Sequence, residues 1–89
     1  MHNILVEEVS PNNFKVVVTQ RSTSEHHVTV SKDFLNQFTK YNITPLNIVK
    51  HSFEFLLDRE PNTSILRKFD INVISNYFPE YTETVKEYF

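Results

Sequence analysis

Histidines are the residues best suited to acid–base or metal chemistry in this chain, because four histidines and no cysteine occur among its 89 residues. His26 and His27 are adjacent, and adjacent residues of a β-strand project from opposite faces of a sheet. One chain therefore cannot hold one metal ion with both, whereas symmetric pairing of two copies would bring four imidazoles together. We favour the simpler alternative, two solvent-exposed histidines at the start of a strand.

A second cluster of ionisable residues lies on one face of a predicted helix. It consists of His51, Glu54 and Asp58, which are three and four residues apart, the spacing of neighbours on a helix surface. The chain lacks the HExxH spacing of a helical zinc site, so we expect a solvated polar strip. Glu80 and Glu83 are a candidate carboxylate pair, but catalysis needs a buried cleft that separates two pKa values, and the sequence indicates none. It predicts no catalytic residue, metal ligand or cofactor, and a protein that is not an enzyme.

The absence of glycine excludes two large classes of nucleotide-binding protein. Average usage would give about six glycines in a chain of this length. Phosphate-binding loops and the dinucleotide fingerprint require glycine, because their backbones adopt positive φ and approach the phosphates closely. Neither kind of site is compatible with this sequence.

Length and charge limit the remaining possibilities. Eighty-nine residues with 39% hydrophobic content predict a single domain over residues 1–89. The formal charge of −2 gives no general attraction to nucleic acid or anionic lipid. No apolar run reaches the roughly 18 residues of a membrane span, and the first ten residues lack the pattern of a signal peptide. We expect a cytoplasmic protein with no membrane contact.

The elements that must position these residues begin with a β meander. The stretch SPNN at residues 10–13 predicts a tight turn between two strands, ILVEEV and FKVVVTQ. A polar turn, RSTSE, then leads into a third strand at residues 26–31. In that strand Val28 and Val30 alternate with polar residues, so one face is buried and the other is exposed or covered by a partner. The predicted sheet is a three-stranded antiparallel meander within residues 1–31.

Two capping signals predict the first helices. Ser31 is suited to cap a short helix that begins at Lys32. We expect this helix to end near Asn42, since asparagine tolerates the left-handed cap position when glycine is absent. Thr44 followed by Pro45 marks the start of a longer helix, because proline at the first helical position loses no hydrogen bond.

The longer helix carries apolar residues on two sides. Five of them fall within one sector about 100° wide, as in a core stripe: Leu46, Val49, Phe53, Leu56 and Leu57. Ile48 and Phe55 fall on nearly the opposite side. Such a helix is packed on two sides, either by the C-terminal part of the chain or by a second copy. Together with an exposed third strand, this pattern predicts a homodimer.

Three short helices are predicted after the longer one, within TSILRKF, DINVISNYF and YTETVKEYF. Each is shorter than the roughly 12 residues at which isolated helices become stable, so each must pack on the rest of the chain. The predicted fold class is α+β: a three-stranded antiparallel meander packed against one long helix and several short helices, with residues 32–89 as the helical part.

Residues 26–60, in the order strand, short helix, turn and long helix, resemble the ribbon–helix–helix family of DNA-binding dimers. The resemblance implies that a strand from each of two copies lies in the major groove. It implies four DNA-facing residues: His27, Thr29, Ser31 and Lys32. Residues 21–60 carry five basic and five acidic residues, so the phosphate attraction that supplies much of DNA affinity is small. Nucleic acid is therefore an alternative partner that we do not favour.

A resemblance to short bacterial proteins that carry no assigned activity rests on HHVTVSKDFLNQF, SFEFLLDREPNTSILRKFD and VISNYFPEY. It implies a size and a bacterial source, and it supplies no functional residues.

The function that the sequence favours is that of a small, dimerising, non-catalytic protein-interaction module. An acidic and aromatic C-terminus suits a groove on a protein partner and repels nucleic acid. The candidate surface for a partner or a second copy consists of Ile48, Phe55, Tyr81, Tyr88 and Phe89. The alternative function is that of a ribbon–helix–helix-like DNA-binding regulator.

Overall fold

The computed structural model describes residues 3–37 and 43–88, with the backbone alone at Tyr88. In chain order the elements are β1 (Asn3–Ser10), β2 (Asn13–Thr19), β3 (Thr23–Thr29), α1 (Lys32–Asn36), α2 (Pro45–Leu57), a 3₁₀ helix (Asn62–Ser64), β4 (Lys68–Asp70), α3 (Val73–Tyr77) and α4 (Tyr81–Tyr88). The predicted α+β class is confirmed. No helix of the described residues is long and apolar enough to cross a membrane.

The sheet has four strands in the order β1-β2-β3-β4, so the prediction of three strands is wrong. The first three strands pair in antiparallel fashion, and β4 pairs parallel to β3 through His27↔Lys68 and Thr29↔Asp70. The stretch TSILRKF, predicted as a helix, instead contains the end of the 3₁₀ helix and most of β4. Three residues of strand carry too little local signal to show in a sequence, because the pairing partner lies about 40 residues away.

The first turn follows the predicted chemistry. Asn12 has φ of 63°, which is the left-handed region that asparagine tolerates better than most residues. The second turn is shorter than predicted, since β3 begins at Thr23 and not at His26. Three residues assigned to a polar turn are therefore strand residues that pair with β2.

The core lies between one face of the sheet and α2. Phe14, Val16 and Val18 of β2 are buried, as the alternation of that strand predicts. The cap of α2 is confirmed: Thr44 Oγ1 accepts a hydrogen bond of 3.2 Å from the Asn47 N–H, with proline at the first helical position. We call the sheet face that packs on α2 the inner face and the opposite one the outer face.

The second apolar side of α2 is covered by the chain itself. The Phe55 ring lies 5.8 Å from Phe78 and 5.3 Å from Tyr81, centroid to centroid. The Ser52 hydroxyl donates to the Ile48 carbonyl at 2.6 Å and accepts from the Tyr81 hydroxyl, so this phenol is satisfied inside the core. Of the two predicted ways to cover α2, packing by the C-terminal part is the one observed.

The short helix α1 begins as predicted, with Ser31 Oγ accepting from the Phe34 N–H at 3.3 Å. Its described part ends at Asn36. The predicted end near Asn42 lies outside the described residues. Asn72 is the N-cap of α3, and Asp70 Oδ1 accepts a hydrogen bond of 2.9 Å from the Asn72 N–H.

Candidate protein interface

Two of the predicted DNA-facing residues lie on the outer face of β3. His27 and Thr29 are exposed, and both are engaged within the chain. His27 Nε2 lies 3.1 Å from Glu25 Oε2, and Thr29 Oγ1 donates to Asn13 Oδ1 at 2.8 Å. The other two follow the strand, with Ser31 as the cap of α1 and Lys32 exposed at its first position. The four residues are neighbours, but they do not form one row on one strand.

The main chain of β3 is hydrogen-bonded on both sides. It pairs with β2 along its whole length and with β4 at His27–Thr29. Two further bonds extend the β4 side, from the His27 N–H to the Arg67 carbonyl at 2.7 Å and from the Ile71 N–H to the Thr29 carbonyl at 2.9 Å. A ribbon shared between two copies would need the edge that β4 occupies here.

The predicted partner surface lies largely in the core. Ile48, Phe55 and Tyr81 are buried within the single chain, so no partner can contact them in this conformation. Burial also raises the pKa of the Tyr81 hydroxyl. The side chain of Tyr88 and the whole of Phe89 lie outside the described residues. The chain's own C-terminal segment takes the place that the sequence left open for a second copy.

His26 is buried, at 1% exposure, and is not the solvent-exposed residue that the sequence favoured. Its Nδ1 lies 2.8 Å from the Leu66 carbonyl and its Nε2 lies 2.8 Å from Ser24 Oγ. A carbonyl only accepts, so Nδ1 carries the proton and Nε2 accepts from the serine. Burial lowers the pKa of His26, and the neutral ring fits this arrangement. The prediction that His26 and His27 project from opposite faces is confirmed.

A buried asparagine that the sequence did not single out completes this arrangement. Asn62 Nδ2 donates to the Ser22 carbonyl and to Ser24 Oγ, both at 3.0 Å, and to the Val18 carbonyl at 3.4 Å. The Asn62 N–H donates to Gln20 Oε1 at 3.1 Å. One residue of the 3₁₀ helix thus fixes the turn between β2 and β3, and through Ser24 it joins His26. We call His26, Ser24 and Asn62 the polar clamp.

The predicted polar strip on α2 is wrong at His51, which is buried. Desolvation lowers the pKa of His51, and the neighbouring charge of Glu54 opposes that shift. Glu54 is half-buried and Asp58 is exposed, so the three residues do not share one solvent-facing strip. Within the described parts of the chain, no group of three or more histidines or acidic residues is placed to hold a metal ion.

The outer edge of the sheet is formed by β1. This strand of eight residues, NILVEEVS, pairs with β2 on one side, and no described strand pairs with its other side. It contains no proline and no lysine, two residues that often protect such edges, and its charged residues are Glu7 and Glu8. Leu5 is 67% exposed and Val9 is 54% exposed. An irregularity of register between Glu8 and Ser10 interrupts the strand near its end, so the regular edge runs from Asn3 to Glu8.

The outer face next to this edge is partly apolar. Leu5 lies opposite Val17, which in turn lies opposite Glu25 on β3. In the adjacent row Glu7 lies opposite Lys15, whose Nζ is 3.8 Å from Glu25 Oε1. The outer face at the unpaired edge therefore has an apolar row, Leu5 with Val17, next to a charged row, Glu7 with Lys15.

Comparison of the chain with protein-family models, with curated proteins and with solved structures finds no match. The function is therefore argued from the fold and from its exposed surfaces.

Proposed function

We propose that this protein is a non-catalytic, dimerising protein-interaction module, and that β1 of one copy pairs with β1 of a second copy. The observation that carries the proposal is the long edge of β1, with which no strand among the described residues pairs. An unpaired strand presents a row of N–H and C=O groups that a second strand can satisfy. A homodimer with twofold symmetry forms when the same patch contacts itself.

The sequence of β1 favours one register. A twofold axis normal to the sheet keeps the inner and outer faces continuous, so opposed residues must project from the same face. An axis at Glu7 would place two like charges opposite each other, which is unfavourable. An axis at Leu5 places the two Leu5 side chains opposite each other, and it pairs Glu7 with the partner copy's Asn3. This register covers Leu5, the most exposed apolar residue of the strand, and makes a continuous sheet of eight strands.

A single cysteine tests the register directly, because the natural chain has none. Directly opposed residues of antiparallel strands have Cα atoms about 4.5 to 5.5 Å apart, which a disulfide can bridge. Leu5→Cys is expected to form a covalent dimer under mild oxidation, seen on a non-reducing gel. Thr23→Cys, on the same face but two strands away, is the matched control and is expected to stay monomeric on the gel.

Light scattering after size exclusion tests the dimer without a crosslink. The wild type is expected at twice the 10.6 kDa of one chain, and Leu5→Lys at the mass of one chain, with Thr23→Lys still dimeric. A wild type that stays at one chain mass up to millimolar concentration would refute the proposal. Leu5→Lys that remains a dimer would remove β1 from the interface.

DNA is the second candidate partner, and the exposure of His27 and Thr29 on the outer face supports it. A gel shift with sheared genomic DNA at about 50 mM and about 200 mM salt tests it, because phosphate contacts weaken steeply over that range. A salt-sensitive shift that disappears in Thr29→Ala with Lys32→Glu would favour DNA. Absence of a shift at both salt concentrations would eliminate it.

A further inference from the structure

A cavity of about 280 Å³ lies between the C-terminal end of α2, β4 and α3. Its wall is largely apolar, with Leu56, Ile65 and Ile74 buried at its base and Phe69 partly buried beside them. Tyr77 lines the same cavity and is 66% exposed, so the cavity opens to solvent on the α3 side. None of these residues belongs to the β1 edge.

Glu60 is the charged residue in the wall of this cavity, and Ser64 supplies a hydroxyl. Partial burial raises the pKa of the Glu60 carboxyl above its usual value, the direction expected when a carboxylate loses part of its solvent. Among the described residues, the ion pairs link Glu25 to Lys15 and His27, and Arg59 to Glu80. The nearby Arg59 is thus directed to Glu80, with Arg59 Nε 3.8 Å from Glu80 Oε2. The Glu60 carboxylate borders an apolar cavity with no cation from the described chain beside it.

We propose that this cavity binds a small apolar amine, with the ammonium group at Glu60 and the apolar part against Ile65, Phe69 and Ile74. An ammonium ion restores the favourable interaction that the carboxylate loses by partial burial, and a charge-assisted hydrogen bond is about twice as strong as a neutral one. The exposed ring of Tyr77 in the wall adds attraction for a cation, whereas the Phe78 ring already has the Arg59 guanidinium 6.0 Å from its centroid. A carboxylate or phosphate ligand would be repelled by the same glutamate.

The size of the cavity sets the size of the ligand. At about 30 Å³ per non-hydrogen atom, the share of liquid volume that a water molecule occupies, the cavity holds roughly nine such atoms. A phenyl ring with a two-carbon chain and an amine has this size. The cavity is at the lower end of ligand pockets in proteins, so the ligand class is a small arylalkyl or alkyl amine and not a nucleotide or a cofactor.

Three probes of matched size test the proposal by NMR titration of the ¹⁵N-labelled protein: 2-phenylethylamine, 2-phenylethanol and phenylacetate. The amine is expected to bind about tenfold more tightly than the alcohol, and phenylacetate more weakly than the alcohol. The amides that shift are expected to be those of Ile65, Phe69 and Ile74. Equal affinities of amine and alcohol, or no binding of either at millimolar concentration, would overturn the proposal.

Two glutamate variants test which carboxylate causes the preference for the amine over the alcohol. Glu60→Gln is expected to reduce the affinity for the amine about tenfold, to the level of the alcohol, and to leave the alcohol unchanged. Glu80→Gln removes an exposed carboxylate that is paired with Arg59, and it is expected to keep the preference for the amine. Loss of the preference in Glu80→Gln and not in Glu60→Gln would refute the assignment. Binding of a lysine-containing apolar peptide without binding of the free amine would likewise overturn it, in favour of a protein ligand.

Discussion

The two edges of the sheet are built differently. The β4 edge consists of three residues, Lys68–Asp70, and the polar clamp of His26, Ser24 and Asn62 holds the chain segment that leads into it. The β1 edge is eight residues long, and its exposed Leu5 lies beside an apolar part of the outer face. The β4 edge is short and is approached by a chain segment that side-chain hydrogen bonds hold in place, while the longer β1 edge is available to a second strand.

The difference shows where a short strand obtains its stability. A parallel pairing of three residues makes few main-chain hydrogen bonds, so β4 depends on side chains outside it. His26 supplies one such contact, to the Leu66 carbonyl just before β4, and Asn62 ties the 3₁₀ helix to β3 through Ser24. The long antiparallel pairing of β1 with β2 needs no such support. A functional surface is therefore expected at the edge that the fold leaves without a clamp.

Removing the clamp is expected to have the largest effect on stability. Asn62→Ala deletes an amide that donates to three acceptors, and it leaves Ser24 Oγ and the Ser22 carbonyl without this donor. We expect a loss of about 2 to 4 kcal/mol in the free energy of unfolding, measured by urea denaturation. Asn76→Ala, at an exposed asparagine, is the control and is expected to change the free energy by less than about 0.5 kcal/mol. Equal losses in the two variants would show that the clamp does not hold the β4 edge.

Low pH is expected to destabilise the β4 edge of the sheet before the β1 edge. Burial lowers the pKa of His26 below its usual 6.5, so the unfolded state binds a proton first as the pH falls. The stabilising contribution is complete above pH 6.5 and is lost as the pH drops below it towards the folded pKa. His51 adds to this loss in the same direction. Each histidine contributes at most about 1.4 kcal/mol per pH unit in this window.

Amide hydrogen exchange at low pH measures the loss of stability at each edge of the sheet separately. Below pH 6.5 the amides of His27 and Ile71, which bond across to the β4 side, are expected to lose protection relative to amides between β1 and β2. After correction for the intrinsic pH dependence of exchange, uniform loss across the sheet would contradict the assignment to His26. His26→Gln, which cannot titrate, is the variant in which the difference should be reduced.

The smallest effect is expected for a substitution at the β1 edge. Leu5 is 67% exposed, so Leu5→Lys is expected to change the stability of the monomer by about 0.5 kcal/mol or less. Urea denaturation at micromolar protein concentration measures this change in the free energy of unfolding separately from dimerisation. A loss of several kcal/mol in the monomer would mean that Leu5 belongs to the core and not to an interface.

Local features of the sequence predicted much of the fold. The SPNN turn, the alternation in β2 and the caps at Ser31 and Thr44 involve residues within a few positions of each other, so their physical signals are readable without the tertiary structure. The sequence also predicted that α2 has two apolar sides. It did not predict what covers the second side, since a second copy and the chain's own C-terminal segment require the same pattern of apolar residues.

The candidate sites were less predictable. Of the residues predicted to face DNA, His27 and Thr29 lie on an exposed face, as the alternation of the strand predicts. Three residues of the predicted partner surface, Ile48, Phe55 and Tyr81, are buried within the chain, and the sequence did not indicate this because an apolar residue looks the same in a core and in an interface. The edge of β1 was not recognised as the unpaired one, since strand order is not a local property.

The sequence by itself determined the alternation of buried residues in the strands, the spacing of apolar residues in α2, the turn at residues 10–13 and the starts of α1 and α2. It also excluded phosphate sites that depend on glycine. The tertiary structure alone decided which histidines are buried, because His26 bonds to Leu66 across 40 residues and Asn62 reaches Val18 across 44. It also decided that the short strand β4 lies at one edge of the sheet and the longer strand β1 at the other. The physical reason is that burial and edge pairing depend on contacts between distant segments, whose energies no local pattern of residues contains.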